Sequence, residues 1–300
     1  MFKKVVIDFP IFNPTVKHTI KPGPAVAATA GPGLIVCLTV GLNIGKSIAA
    51  FSNKPFIGVN HLEGHALSPG LENKMGFPYL LLLISGGHTQ YLIVKDVNHY
   101  EQLGTTIDDA LGEAFDKTAK MLDLGYPGGP AVEKFSKLGD KNYFKLPEPI
   151  INKAGCNLSF AGLKTAVLRE SKKINGDEKL KYNLAASFQS TINKILYKKT
   201  KIAIQEFKNK TKEKKVQLIV AGGVAANKSI RENLTTLSKE MDCKTIYPDL
   251  KFCGDNAAMI AWAGIKRFKK NLIDNIDISA KSRWPLDSNA PYMKGPGLKL

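Results

Sequence analysis

Apolar positions along the chain fall into short unbroken runs separated by small and polar turns. Tyr79-Leu-Leu-Leu-Leu-Ile84 and Tyr91-Leu-Ile-Val94 flank the loop Ser85-Gly86-Gly87-His88-Thr89. Each run is short and bounded by turn residues, which predicts two buried strands joined as a hairpin with a glycine tip. A third run, Val216–Ala221, enters Gly222-Gly223-Val224-Ala225-Ala226-Asn227 and predicts a strand and turn, then a helix over residues 228–241. Residues 25–29, 34–51 and 56–59 read as strand, helix and strand, the β-loop-α-β unit of a parallel sheet. The helix in that unit carries Gly41, Gly45, Ala49 and Ala50 and is expected to be buried.

A 3.6-residue apolar period predicts an amphipathic helix over 106–124, with Ile107, Leu111, Ala114, Phe115 and Leu122 inward. Thr106 and Asp109 have capping-box spacing, Gly125 ends the pattern, and Glu113 and Asp116 fall on the solvated side. The loop from Gly125 to Pro130 precedes another helix start, and residues 141–158 read as irregular. The longest helical pattern covers 184–207, residues 244–247 make the last strand, and an apolar helix covers 257–268 with Asp255 suited to its N-cap. Prolines break residues 1–24 after a candidate strand at Val5-Val6-Ile7, and the segment with Trp284 and Pro285 reads as a tail over the surface. Alternating strands and helices make the chain α/β.

The 300 residues are enough for one large domain or two lobes. The chain carries 43 basic and 26 acidic residues, a formal charge of +17. Such a surplus fits a polyanionic partner such as RNA, and equally a lysine-rich proteome bias on solvated faces. The four cysteines form no C-x-x-C pair, so neither a zinc knuckle nor a disulfide framework is indicated and a reducing compartment fits best. No apolar run approaches membrane-spanning length and no signal-peptide core follows Lys3-Lys4, which leads to the expectation of a cytoplasmic protein without a membrane partner.

Three places carry candidate chemistry. The glycine hairpin fits an ordinary tight turn or, through successive N–H groups and the hydroxyls of Ser85 and Thr89, an anion site. His61 and His65 stand four residues apart, one helical turn, and fit either a metal pair or two hydrogen-bonding histidines. Leu62 after the first histidine departs from H-E-x-x-H and argues against a metalloprotease. Asp255 fits a helix cap and is compatible with metal ligation. The lysine run from Lys208 to Lys215 reads as a solvated connection, with direct RNA contact the lesser alternative.

Taken in order, these motifs resemble the bacterial TsaD family of tRNA adenosine threonylcarbamoyltransferases. The resemblance runs through Ala30-Gly31-Pro32-Gly33-Leu34, Gly58 to His65, Ser85 to Thr89, Thr106 to Ala110 and Gly112 to Lys117. It continues through Tyr126 to Pro130, Ser159 to Val167, Gly222-Gly223-Val224 with Asn227, and Asp255-Asn256. It implies the two-lobed fold of actin, Hsp70 and sugar kinases, with residues 1–75 and 256–300 in one lobe and 76–255 in the other. It implies one divalent metal, Fe(2+) or alternatively Zn(2+), on His61, His65 and Asp255. It implies substrate contacts from Leu83, Ile84, Ser85, Gly86, Gly87 and His88, and from Asp116, Gly129, Glu133 and Asn227. The implied reaction moves threonylcarbamoyl from threonylcarbamoyl-AMP to N6 of adenosine 37 in tRNAs reading codons that begin with A, with TsaB and TsaE as partner proteins. The resemblance names no general base.

The family's opening loop, G-I-E-T-S-C-D-E-T, has no counterpart in residues 1–24, so the first lobe is expected to be incomplete and its sheet edge uncovered. Two alternatives follow: a weakly active or non-catalytic remnant that binds metal, nucleotide or partners, and an ATPase or sugar kinase of the same fold. The kinase reading gives the histidine pair no role.

Overall fold

The computed structural model describes residues 23–290, so the candidate strand at Val5-Val6-Ile7 lies outside the described residues. Its larger sheet is built on β3 (Tyr79–Ile84), whose six residues are all fully buried. Side chains alternate across a strand, and here both faces meet a core. Leu80, Leu82 and Ile84 pack into one cluster, and Tyr79, Leu81 and Leu83 into another. β3 pairs antiparallel with β4 (Thr89–Asp96), and β4 with β5 (His99–Thr105). On its other side β3 pairs parallel with β6 (Val216–Ala221), and β6 with β7 (Cys243–Ile246). The resulting order is β5-β4-β3-β6-β7. β5 had no clear sequence pattern, because only Tyr100 and Gly104 of its seven residues are buried.

The second sheet holds β1 (Val26–Gly31) and β2 (Phe56–Asn60), parallel and linked by α1 (Ile35–Phe51). Val26, Ala30 and Phe56 face α1, while Ile57 and Val59 face α8 (Ala257–Lys269). Helix α1 is not buried as expected. It packs on this sheet by Leu38, Leu42, Gly45 and Ala49, and Val36, Val40 and Phe51 stand more than half exposed. Two strands, with Ile278, Ala280 and Trp284 of the tail packed on the same cluster, cover only one side of the helix, so its remaining apolar positions face outward.

Four helices supply the core on the Leu80–Ile84 face: α3 (Leu111–Met121), α5 (Ala161–Ser171), α6 (Glu178–Thr211) and α7 (Lys228–Glu240). α4 (Gly128–Ser136) adds Val132. Helix α3 starts five residues later than its sequence pattern. Thr106 is spent on other partners: its N–H donates to Thr89 O, its Oγ1 donates to Asp109 O, and the next N–H donates to Leu158 O. Residues 141–158 contain no helix or strand, as the sequence indicates. The tail after α8 lies across both sheets. Asp274 N donates to Phe56 O, Lys281 N to Ala30 O, and Gln102 N to Asp287 Oδ2.

No helix among the described residues is long and apolar enough to cross a membrane.

Candidate metal centre and substrate loops

β1, β2, β3 and β6 are parallel within their sheets, and ligands of α/β proteins collect beyond the carboxyl ends of such strands. β2 runs into α2 (His61–Leu67), β3 into the Ser85–His88 tip, and β6 into the turn at Gly222. Asn60 caps α2 by accepting from Leu62 N at 2.9 Å, which fixes where the first histidine begins its turn. Leu62 and Ala66 anchor the helix against the larger sheet.

From that helix His61 Nε2 and His65 Nε2 converge on one oxygen, Asp255 Oδ1, at 3.2 and 3.0 Å. The two rings meet edge to face with centroids 4.9 Å apart. Asp255 is not the cap of α8. Asn256 takes that place, its Oδ1 accepting from Met259 N at 2.9 Å, which leaves the neighbouring carboxylate free to face the imidazoles. Hydrogen bonds from His61 and then His65 hold the Asp255 carboxyl well below the usual carboxylate range. The three donor atoms lie within 4.8 Å of one another. His65 is buried and Asp255 exposed, so the cluster has a closed side and an open one. Two imidazole nitrogens and one carboxylate oxygen, gathered on one side with positions left over, fit a divalent transition metal.

His88 brings the hairpin tip to the same place. Its pKa is lowered to about 4, first by burial and then by the charges of His61 and His65. The tip is closed by Ser85 N donating to His88 O at 2.8 Å and His88 N donating to Ser85 Oγ at 3.1 Å. Leu83 and Ile84 are fully buried, so only their backbone can reach a ligand. Gly86 and Gly87 are exposed and neither has positive φ, so the tip does not need glycine for its bend. A Cβ on either would enter open space, which leaves room for a ligand against the backbone. Gly222 is where backbone geometry does demand glycine: its φ is +97° and a Cβ would lie 2.4 Å from Ile84 O.

The remaining candidates gather around α3, α4 and α7. Asp116 is exposed and accepts from Gly128 N at 2.9 Å, joining α3 to α4. A Cβ on Gly129 would meet nothing. Glu133 Oε1 accepts from Lys228 N at 3.1 Å, and Asn227 caps α7 through Ile230 N at 3.0 Å while its Nδ2 donates to Gln189 at 2.9 Å. Sequence reasoning passed over Glu63, between the two histidines. It is buried and accepts from Asn98 N, Tyr100 Oη and Arg267. A carboxylate in the otherwise apolar stretch Leu62 to Leu67 was the available signal. It read Asp109 only as part of a cap, whereas Asp109 is a buried carboxylate beside Lys117 and Lys164 at the foot of α3.

The family model of the tRNA N6-adenosine threonylcarbamoyltransferases (TsaD) matches residues 16–262. The chain belongs to this family. The tRNA N6-adenosine threonylcarbamoyltransferase of Pelagibacter ubique is 60% identical over 276 residues, which cover 92% of this chain and 77% of that one. The protein of the same name from Rhodospirillum rubrum is 49% identical over 285 residues, 93% of this chain and 78% of its own. Among solved structures, HypF of T. kodakarensis superposes with a TM-score of 0.57 at 14% identity, over 81% of this chain and 40% of the longer HypF chain. A full-length HypF in a phosphate- and nucleotide-bound form gives 0.55 at 14% identity, over 74% and 37%. These two likenesses concern the fold alone.

Proposed function

We propose that this TsaD-family chain transfers threonylcarbamoyl to the N6 amine of an adenosine in tRNA, adenosine 37 of tRNAs reading codons that begin with A. The donor is threonylcarbamoyl-AMP, and TsaB- and TsaE-type proteins assist. The amine nitrogen bonds to the carbamoyl carbon, the bond from that carbon to the phosphate oxygen breaks, AMP leaves, and the proton lost from the amine passes to the released phosphate or to water. The observation that carries this reading is the convergence of His61, His65 and Asp255 beside an open glycine hairpin. His61, His65 and Asp255 would hold a divalent ion, Fe(2+) in our assignment and Zn(2+) as the alternative, which would supply Lewis acidity. The exposed N–H groups of Gly86 and Gly87 stabilise charge on the leaving phosphate. Asp116, Gly129, Glu133 and Asn227 hold the nucleoside end. We assign residues 1–75 with 256–300 to one lobe and 76–255 to the other, and place the protein in the cytoplasm.

The test combines the purified chain, both partner proteins, threonylcarbamoyl-AMP and tRNA, and measures modified adenosine in the nucleoside digest by mass spectrometry. Product from wild type and none from His61→Ala/His65→Ala is expected. Absence of product from metal-loaded wild type with active partners would refute the assignment.

A further inference from the structure

We infer that the groove between α4, α6 and α7 holds the phosphate backbone of the tRNA. This rests on the transferase reading, and it names a contact surface that adjoins the site above and shares Glu133 with it. The groove has a volume of about 920 Å³, and charged, amide and hydroxyl side chains make up most of its lining, with Ile151 and Ala186 the aliphatic exceptions. Six lysines line it, Lys137, Lys141, Lys194, Lys198, Lys201 and Lys228, against three glutamates. Charge is left over for a ligand: among the described residues Lys141, Lys201 and Lys228 make no ion pair, and Lys194 reaches Glu148 only at 3.7 Å.

The lysines are arranged, not scattered. Lys194, Lys198 and Lys201 follow the i, i+4, i+7 spacing of one helical stripe, exposed along about 10 Å of α6. The opposite stripe, with Ile192, Ile195 and Leu196, is fully buried, which fixes the rotation of the helix and aims the lysines outward. Lys199, one residue away, obeys the same rotation: it is buried and spends its ammonium on Lys153 O and Gly155 O. The floor is built from amides and hydroxyls. Asn227 donates to Gln189, Gln189 to Asn193, and Asn193 to Ser229. That chain runs from a residue we assign to the nucleoside into the groove. That nucleoside belongs to the donor, and the acceptor adenosine must meet the donor in the same cleft, so a polynucleotide that reaches the donor brings its flanking backbone toward the stripe. Lysines along a groove with neutral donors beneath match phosphate and ribose rather than an apolar ligand.

The test replaces Lys194, Lys198 and Lys201 by Glu together and measures tRNA affinity by fluorescence anisotropy from low to high salt. A loss of about tenfold or more at physiological salt is expected, with the slope of log affinity against log salt shallower by roughly two, as for two to three lost phosphate contacts. Lys179→Glu/Lys214→Glu/Lys215→Glu carries the same charge change on exposed positions elsewhere and should lose far less. Metal content and circular dichroism of both variants should match wild type. Unchanged affinity and slope in the groove variant, or equal loss in the control, would overturn the groove as the RNA surface. A groove-specific loss in a protein that forms no modified adenosine would uphold the surface and remove the transferase reading.

Discussion

Breaking the Glu63–Arg267 pair should cost far more than a surface pair and should loosen the histidine helix. Glu63 is 1% exposed and Arg267 6%, and their contact is 3.0 Å. Glu63 Oε1 also accepts from Asn98 N at 2.9 Å and Tyr100 Oη at 2.8 Å. Arg267→Met leaves the carboxylate with these two neutral donors and no cation. The expected loss is about 3–5 kcal/mol, the range for stranding one member of a buried pair. The exposed pair Lys270–Asp96 is the internal control, and Lys270→Met should cost at most about 1 kcal/mol. Glu63→Gln/Arg267→Met should cost less than the two single losses added, because no uncompensated charge is left buried. Urea unfolding of the metal-free proteins at neutral pH measures all four variants, and zinc titration then reads the state of α2. A loss below about 1 kcal/mol for Arg267→Met, with additive energies in the cycle, would refute the argument that this pair fastens the helix.

Three further outcomes are expected. His88 is held at about 4 by burial and then by its histidine neighbours, below its unfolded value of 6.5. A lowered histidine favours the folded state above the unfolded pKa, so about 2–3 kcal/mol should be lost as pH falls from 6.5 through 4. Urea midpoints at pH 7 and pH 5 should differ less in His88→Gln than in wild type, and an unchanged difference would dismiss His88 as the source. Chelation should remove about one divalent ion per chain and lower the melting temperature, whereas His61→Ala/His65→Ala should show no chelator response; equal metal content in the two proteins would dispose of the site. Gly86→Val should melt as wild type, since its Cβ meets nothing, yet lose adenylate binding by calorimetry, while Gly222→Ala should unfold earlier because its Cβ meets Ile84 O at 2.4 Å.

Much of the fold could be read from unbroken apolar runs, since β3 and β6 are buried on both faces and leave no ambiguity with a helix of useful length. The register of α3 could not. Thr106 and Asp109 have the right spacing for a cap, but the neighbouring segment at Leu158 competes for the same backbone. Spacing along the chain carries no information about that competitor. The histidines were legible because one helical turn suffices to align them. Asp255 read first as a cap compatible with ligation, and only the family resemblance joined it to the histidines; the cap itself is Asn256. Lys199 shows the same limit: it reads as one more surface lysine, and only the rotation of α6 sends it inward.

The metal site we propose on His61, His65 and Asp255 has a further consequence for the order in which the protein matures. Two donors come from one turn of helix, but the third lies 190 residues further along the chain. An ion bound by all three ties the ends of a very long loop, whose closure in a disordered chain carries a large entropic cost. The histidine pair alone offers only two donors, so full coordination waits until α8 has docked on β2. Occupancy therefore reports that distant parts of the polypeptide have met. Because the ion binds the native arrangement and not the open chain, its free concentration sets part of the folding equilibrium. Metal scarcity would lower the population of assembled molecules as well as the reactivity of each one.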